Sequence, residues 1–77
     1  MKLDIYVATS CWACEEATNL ATAVASQVPH VEIELHDITV SPRPEHVFAT
    51  PTYILDGHVI YLGNPSLEEL LATVVAV

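Results

Sequence analysis

Hydrophobic and polar positions follow first a strand-like and then a helix-like pattern. Leu3–Ala8 is a short apolar run with β-branched and aromatic side chains, which predicts a buried strand. From Trp12 to Val28 the apolar residues recur at the spacing of one helical face, at Ala13, Ala17, Leu20, Ala21, Val24 and Val28. Pro29 ends this predicted helix, because proline lacks the N–H that a continuing helix would use.

The following segment predicts a second strand. Val31–Asp37 alternates strictly between apolar and polar residues, which is typical of a half-solvated strand at a sheet edge. A strand, a helix and a strand in succession form a βαβ unit with parallel strands. Residues 38–50 contain Pro42 and Pro44, and we predict a loop or a short helix there.

The next pattern predicts a β-hairpin. Thr52–Leu55 and His58–Leu62 are strand-like runs joined by Asp56-Gly57. That dipeptide favours a type I′ turn, in which both central residues have positive φ. Tyr53 and Tyr61 lie within these runs, and we predict that they are packing residues.

A second amphipathic helix closes the pattern, with a stripe at Leu67, Leu70, Leu71, Val74 and Val75. It begins either with Asn64 as cap and Pro65 in the first position, or with a capping box of Ser66 and Glu69. The predicted order is β-α-β-β-β-α. We therefore expect an α/β fold with a four-stranded mixed sheet and flanking helices.

Composition narrows the class of protein. A chain of 77 residues predicts a single small domain over 1–77, and 52% hydrophobic residues argue against disorder. No apolar run reaches the roughly 18 residues of a membrane span. Ten acidic residues against two basic ones give a net charge of −8, so nucleic acid and anionic membranes are not expected partners. A basic partner surface would be attracted.

The two cysteines carry the candidate chemistry. Cys11-Trp12-Ala13-Cys14 stands between the first predicted strand and the first predicted helix. A thiol at a helix N-terminus faces unpaired N–H groups and the positive end of the helix dipole, which both favour the thiolate. A second thiol one turn later can resolve a mixed disulfide. We predict that Cys11 attacks and that Cys14 resolves.

Neighbouring charges act on the same thiols. Glu15 and Glu16 follow the motif directly and oppose a thiolate by charge repulsion. We expect the N–H groups and the dipole to prevail at Cys11, because both are directed at its sulfur. Residues 1–7 show no secretory signal, which predicts a cytoplasmic protein with reduced thiols at rest.

The motif and the segment Ala49–Gly57 together resemble the thioredoxin and glutaredoxin superfamily, and the small glutaredoxin-like thioredoxins in particular. The resemblance implies a thioredoxin-like fold, a cis bond before Pro51 next to the nucleophilic cysteine, and a Thr50 backbone that pairs with an extended substrate. It also implies an exposed Trp12, which could anchor a partner.

The resemblance further implies a thiol–disulfide oxidoreductase that needs no cofactor and acts as a monomer. Its substrates would be disulfide-containing proteins or small molecules, and its electron donor a reductase or a low-molecular-weight thiol. Trp12-Ala13 is neither the Gly-Pro of thioredoxin nor the Pro-Tyr of glutaredoxin. The turn Gly63–Ser66 departs from the glutathione-binding turn of glutaredoxins, so glutathione dependence stays open.

Two other interpretations compete with redox chemistry. The cysteines could ligate a metal or an iron–sulfur cluster, although a structural zinc site needs four ligands and the histidines show no paired spacing at His30, His36, His46 and His58. We predict instead that His36 and His58, which fall at strand positions, are surface residues and that no metal is bound. The rival function is a binding or adaptor module on the same fold, with a vestigial or metal-binding motif.

Overall fold

Four strands and two helices follow one another in the predicted order. The computed structural model describes residues 1–8, 12–40, 47 and 49–76. The elements are β1 (Lys2–Val7), α1 (Trp12–Gln27), β2 (Glu32–Asp37), β3 (Thr52–Leu55), β4 (His58–Leu62) and α2 (Leu67–Ala76). Most of the segment predicted as a loop or short helix, residues 41–46 and 48, lies outside the described residues. Residues 38–40 form a turn.

The strands form one mixed sheet in the order β2-β1-β3-β4. β1 pairs with β2 in parallel, whereas β3 is antiparallel to both β1 and β4. The α/β class, the mixed sheet and the edge position of β2 are therefore confirmed. Neither helix, within the part of the chain that the structure describes, is long and apolar enough to cross a bilayer.

Both helices contribute to one hydrophobic core with the central strands. Leu3 and Ile5 of β1 lie opposite Leu55 and Tyr53 of β3, and all four side chains are buried. The helices add the residues that the 3.6-residue spacing predicted, namely Ala17, Leu20, Ala21 and Val24 of α1 and Leu70 and Val74 of α2. Every residue of β3 is buried, as expected for an internal strand.

Two predicted core positions are wrong. The stripe of α2 was predicted to include Val75, but this side chain is 64% exposed because the buried face runs through Leu70 and Val74. Leu35 was predicted on the apolar face of β2, yet it is 43% exposed. The core covers Val31 and Ile33 but does not extend as far as Leu35.

Local hydrogen bonds determine the turn and the second helix start. Asp56 and Gly57 both have positive φ, at 48° and 86°, as the hairpin prediction requires. Ser66 and Glu69 form the capping box, in which each backbone N–H donates to the other residue's side-chain oxygen at 3.1 Å. The Ser66 N–H, and to a smaller extent the Ser66 hydroxyl, lower the pKa of the Glu69 carboxyl by hydrogen bonding. The alternative cap at Asn64 is wrong, since α2 begins only at Leu67.

Adjacent valines of α2 provide a matched test of this core. Val74→Ala removes methyl groups from a side chain with no solvent exposure, and should lower the free energy of unfolding by about 1.5–3 kcal/mol. Val75→Ala makes the same change at an exposed position and should be neutral or stabilise by about 0.5 kcal/mol, because alanine is the better helix former. Urea denaturation of both variants measures the difference. Equal losses would contradict the assigned helix face.

Candidate active site

Four chain segments meet at one end of the sheet, where β1 and β4 end and β3 begins. Tyr6, near the end of β1, lies opposite Thr52 at the start of β3, and Thr52 lies opposite Leu62 at the end of β4. The first turn of α1 lies at the same end of the sheet, because the Ala8 N–H, just past β1, reaches the Cys14 side chain. The described part of the Cys-x-x-Cys motif therefore lies next to these strand ends.

Cys14 occupies the first turn of α1. Its side chain is only 4% exposed and its sulfur is part of a disulfide. The Ala8 N–H, just past the end of β1, donates to Cys14 Sγ at 3.4 Å. This hydrogen bond joins the sulfur to the strand from which the motif emerges. Cys11, the predicted attacking thiol, lies outside the described residues.

The segment before β3 forms a second side of the site. The Thr50–Pro51 peptide bond is cis, the geometry that the family resemblance implies. Pro51 is fully buried, and its C=O accepts a hydrogen bond from the Gly63 N–H at 2.8 Å. Gly63 has a φ of 88°, a left-handed conformation that glycine adopts without the strain of a side chain.

Asn64 connects the remaining segments. Its Oδ1 accepts a hydrogen bond from the Tyr53 hydroxyl at 2.8 Å, and its Nδ2 donates to the Ala13 C=O at 2.7 Å. One exposed amide thus joins β3, the loop before α2 and the first turn of α1. The sequence suggested only a helix cap for Asn64, because nothing local in the sequence indicates a partner 51 residues away.

Tyr53 lies beneath this site as a packing residue, in keeping with its predicted role. Its ring meets that of Tyr61 edge to face, with 6.3 Å between centroids. Burial raises the pKa of the Tyr53 hydroxyl to about 12, and the negative charge of Glu16 contributes to the rise. The hydroxyl therefore remains protonated at neutral pH and acts as the hydrogen-bond donor to Asn64.

An open groove of about 570 Å³ lies along the start of α1, lined by Trp12, Ala13, Glu15, Glu16, Asn19 and Asn64. The Trp12 side chain is 88% exposed, so it does not fold back over its own helix. The exposure expected of Trp12 is therefore present. Its role in substrate contact stays a prediction.

A second polar cluster, on β1 and β2, was missed by the sequence reasoning. His36 Nε2 lies 2.8 Å from Asp4 Oδ1, and its ring stacks on Tyr6 at 4.6 Å. Lys2 Nζ lies 2.9 Å from Glu34 Oε2, which raises the pKa of the lysine and lowers that of the carboxyl. The parallel register places these residues side by side. The sequence alone does not specify that register.

Within the described residues, one group of side chains has the spacing to hold a metal ion, and it belongs to this cluster. Asp4, Glu34 and His36 have ligand atoms within 4.8 Å of one another, and the Lys2 ammonium forms ion pairs with both carboxylates. Cys14 is not part of this or any other such group within the described ranges. His58 is exposed, as predicted, whereas His36 is partly buried; His30 is also exposed, and His46 lies outside those ranges.

Comparison with known proteins points to one family over almost the whole chain. A family model described as a thioredoxin domain matches residues 1–75. A thioredoxin from Methanocaldococcus jannaschii is 26% identical over 78 positions, covering 96% of this chain and 92% of that protein. Both similarities include the segments that meet at the site.

A double-mutant cycle tests the Asn64 bridge. Asn64→Ala removes the acceptor of the Tyr53 hydroxyl and the donor to Ala13, and should lower the free energy of unfolding by about 1–3 kcal/mol. In a Tyr53→Phe background the same change should cost about 0.5–1.5 kcal/mol less, because one shared hydrogen bond is already absent. Chemical denaturation measures all four proteins.

Asn19→Ala is the matched control, because Asn19 is an exposed asparagine in the same groove. It should be neutral or slightly stabilising in helix α1. Strictly additive effects of Asn64→Ala and Tyr53→Phe would contradict the bridge.

Proposed function

This chain belongs to the thioredoxin domain family, and we propose that it is a thiol–disulfide oxidoreductase whose working dithiol is Cys11 and Cys14. The observation that carries the proposal is Cys14 itself. Its sulfur is in a disulfide, buried in the first turn of a helix that starts at the end of a central strand. We assign Cys11, the other cysteine of the sequence, as its partner in the oxidised form.

Burial determines the order of the chemical steps. A substrate disulfide cannot reach a sulfur that is 4% exposed, so the first attack falls to Cys11. The Cys11 thiolate forms a bond to one substrate sulfur, and the other substrate sulfur leaves as a thiolate and takes a proton from water. The product is a mixed disulfide between Cys11 and the substrate.

Cys14 then completes the reaction. Its thiol loses a proton and attacks the Cys11 sulfur, which forms the internal disulfide and releases the second substrate thiolate. Two electrons pass from the dithiol to the substrate. In the reverse direction a donor thiolate attacks Cys11 and Cys14 leaves as a thiolate, and the Ala8 N–H stabilises that developing charge.

The surrounding residues supply substrate contact. We assign Trp12, Thr50 and Pro51 to this role, because Trp12 is exposed at the motif and the cis bond lies at the same end of the sheet. No cofactor is needed, because sulfur carries the electron pair. The partners are disulfide-containing proteins or small molecules as substrates and a reductase or low-molecular-weight thiol as donor. We propose a monomeric cytoplasmic protein that binds neither nucleic acid nor membranes.

Insulin reduction with dithiothreitol as donor tests the proposal. The wild-type chain should accelerate precipitation of the insulin B chain, and Cys11→Ser should fall to the rate of dithiothreitol alone, because the first bond can no longer form. Circular dichroism and a thermal melt establish that the variant is folded. Turnover by Cys11→Ser, or none by the wild type, would contradict the proposal, and the second result would favour the adaptor function.

A further inference from the structure

The groove along the start of α1 is negatively charged, and thiol–disulfide exchange at the cysteines does not require this charge. We propose that it is a substrate subsite that selects disulfides flanked by positively charged groups. We call it the acidic groove, formed by Trp12, Ala13, Glu15, Glu16, Asn19 and Asn64. The inference rests on the proposed function and specifies the substrate class of that same site.

Four of the six residues that line the acidic groove lie on one face of α1. Glu15 and Glu16 lie three and four residues after Trp12, and Asn19 follows at the same spacing, so all four are neighbours on the surface of α1. Both carboxylates are exposed and the indole is 88% exposed. Carboxylates attract a cation by charge, and the face of a tryptophan ring attracts it by the cation–π interaction.

Basic residues do not offset this charge within the part of the chain that the structure describes. Lys2 is the only lysine or arginine among the described residues. It lies at the start of β1, about 17 Å along the strand from Val7. Its ammonium is already paired with Glu34 and Asp4. The field at the acidic groove is therefore negative, in a chain whose net charge is −8.

Glu16 lines the groove on the side of α1 that lies next to Asn64. Its charge contributes to the raised pKa of the Tyr53 hydroxyl, which itself donates to Asn64 at the wall of the groove. Glu16 thus lies close to the segments that surround the motif, and not on the remote side of α1. A charged group next to the reacting sulfur of a substrate would lie within the electrostatic field of the Glu16 carboxylate.

The occupant follows from this placement. Trp12 is the covalent neighbour of Cys11, so a substrate sulfur bonded to Cys11 brings its flanking groups over the acidic groove. Lysine or arginine side chains beside the half-cystine fit the carboxylates and the indole. Anionic disulfides, including glutathione disulfide, are disfavoured by the same charges.

Three small disulfides of different charge test the inference. The reduced protein is mixed with cystamine, a dication, with bis(hydroxyethyl) disulfide, which is neutral, or with dithiodipropionate, a dianion. Alkylation of the remaining thiols and mass spectrometry give the rate of oxidation. Each rate is divided by that of uncharged dithiothreitol with the same disulfide, which removes intrinsic differences in reactivity.

The wild type should prefer cystamine to dithiodipropionate by about tenfold or more at low ionic strength. The preference should approach one in about 1 M salt, where exposed charges are screened. Glu16→Gln should lower it by about threefold. The matched control is Glu32→Gln, an equal loss of charge at an exposed residue at the start of β2, which should leave the preference nearly unchanged.

The neutral disulfide separates the two proposals. No reaction with any of the three would overturn the oxidoreductase proposal itself. Reaction with all three at similar normalised rates would overturn only the charge selection. An equal effect of Glu16→Gln and Glu32→Gln would assign the preference to overall charge and would overturn the role of the acidic groove.

Discussion

The antiparallel pairing of β1 with β3 is the constraint on which the site depends. It places the end of β1, which leads into the Cys-x-x-Cys motif, beside Thr52 and therefore beside the cis bond at Pro51. The same strands supply Leu3, Ile5, Tyr53 and Leu55 to the core. Because both strands are central to the sheet, a change in their register would expose core residues and displace the site together.

Few hydrogen bonds then hold the site segments in place. The Ala8 N–H reaches Cys14, the Gly63 N–H reaches Pro51, and Asn64 joins Tyr53 to Ala13. The contacts of Ala8 and Asn64 reach the first turn of α1, and the contact of Gly63 joins the residue after β4 to the residue before β3. The two carboxylates of the acidic groove, Glu15 and Glu16, make none of these hydrogen bonds, so their charges can differ between proteins of the same fold without loss of the core.

The sequence predicted the elements well and the long-range contacts poorly. Periodicity located both helices and all four strands, and Asp56-Gly57 predicted the hairpin turn, because these features depend on neighbours in the chain. The bridge through Asn64 and the cluster around His36 depend on strand register and on residues far apart in sequence. Only the fold brings those partners together, and local pattern carries no signal for them.

We propose that Cys11 forms the covalent bond to substrate and that Cys14 releases it. Trapping with Cys14→Ser distinguishes these two roles. This variant should accumulate a mixed disulfide with insulin on Cys11, identified by peptide mapping with a glutamate-specific protease and released by dithiothreitol. Cys11→Ser should form little adduct, because Cys14 is buried. The account would be contradicted if Cys14→Ser formed no adduct, or if Cys11→Ser formed as much.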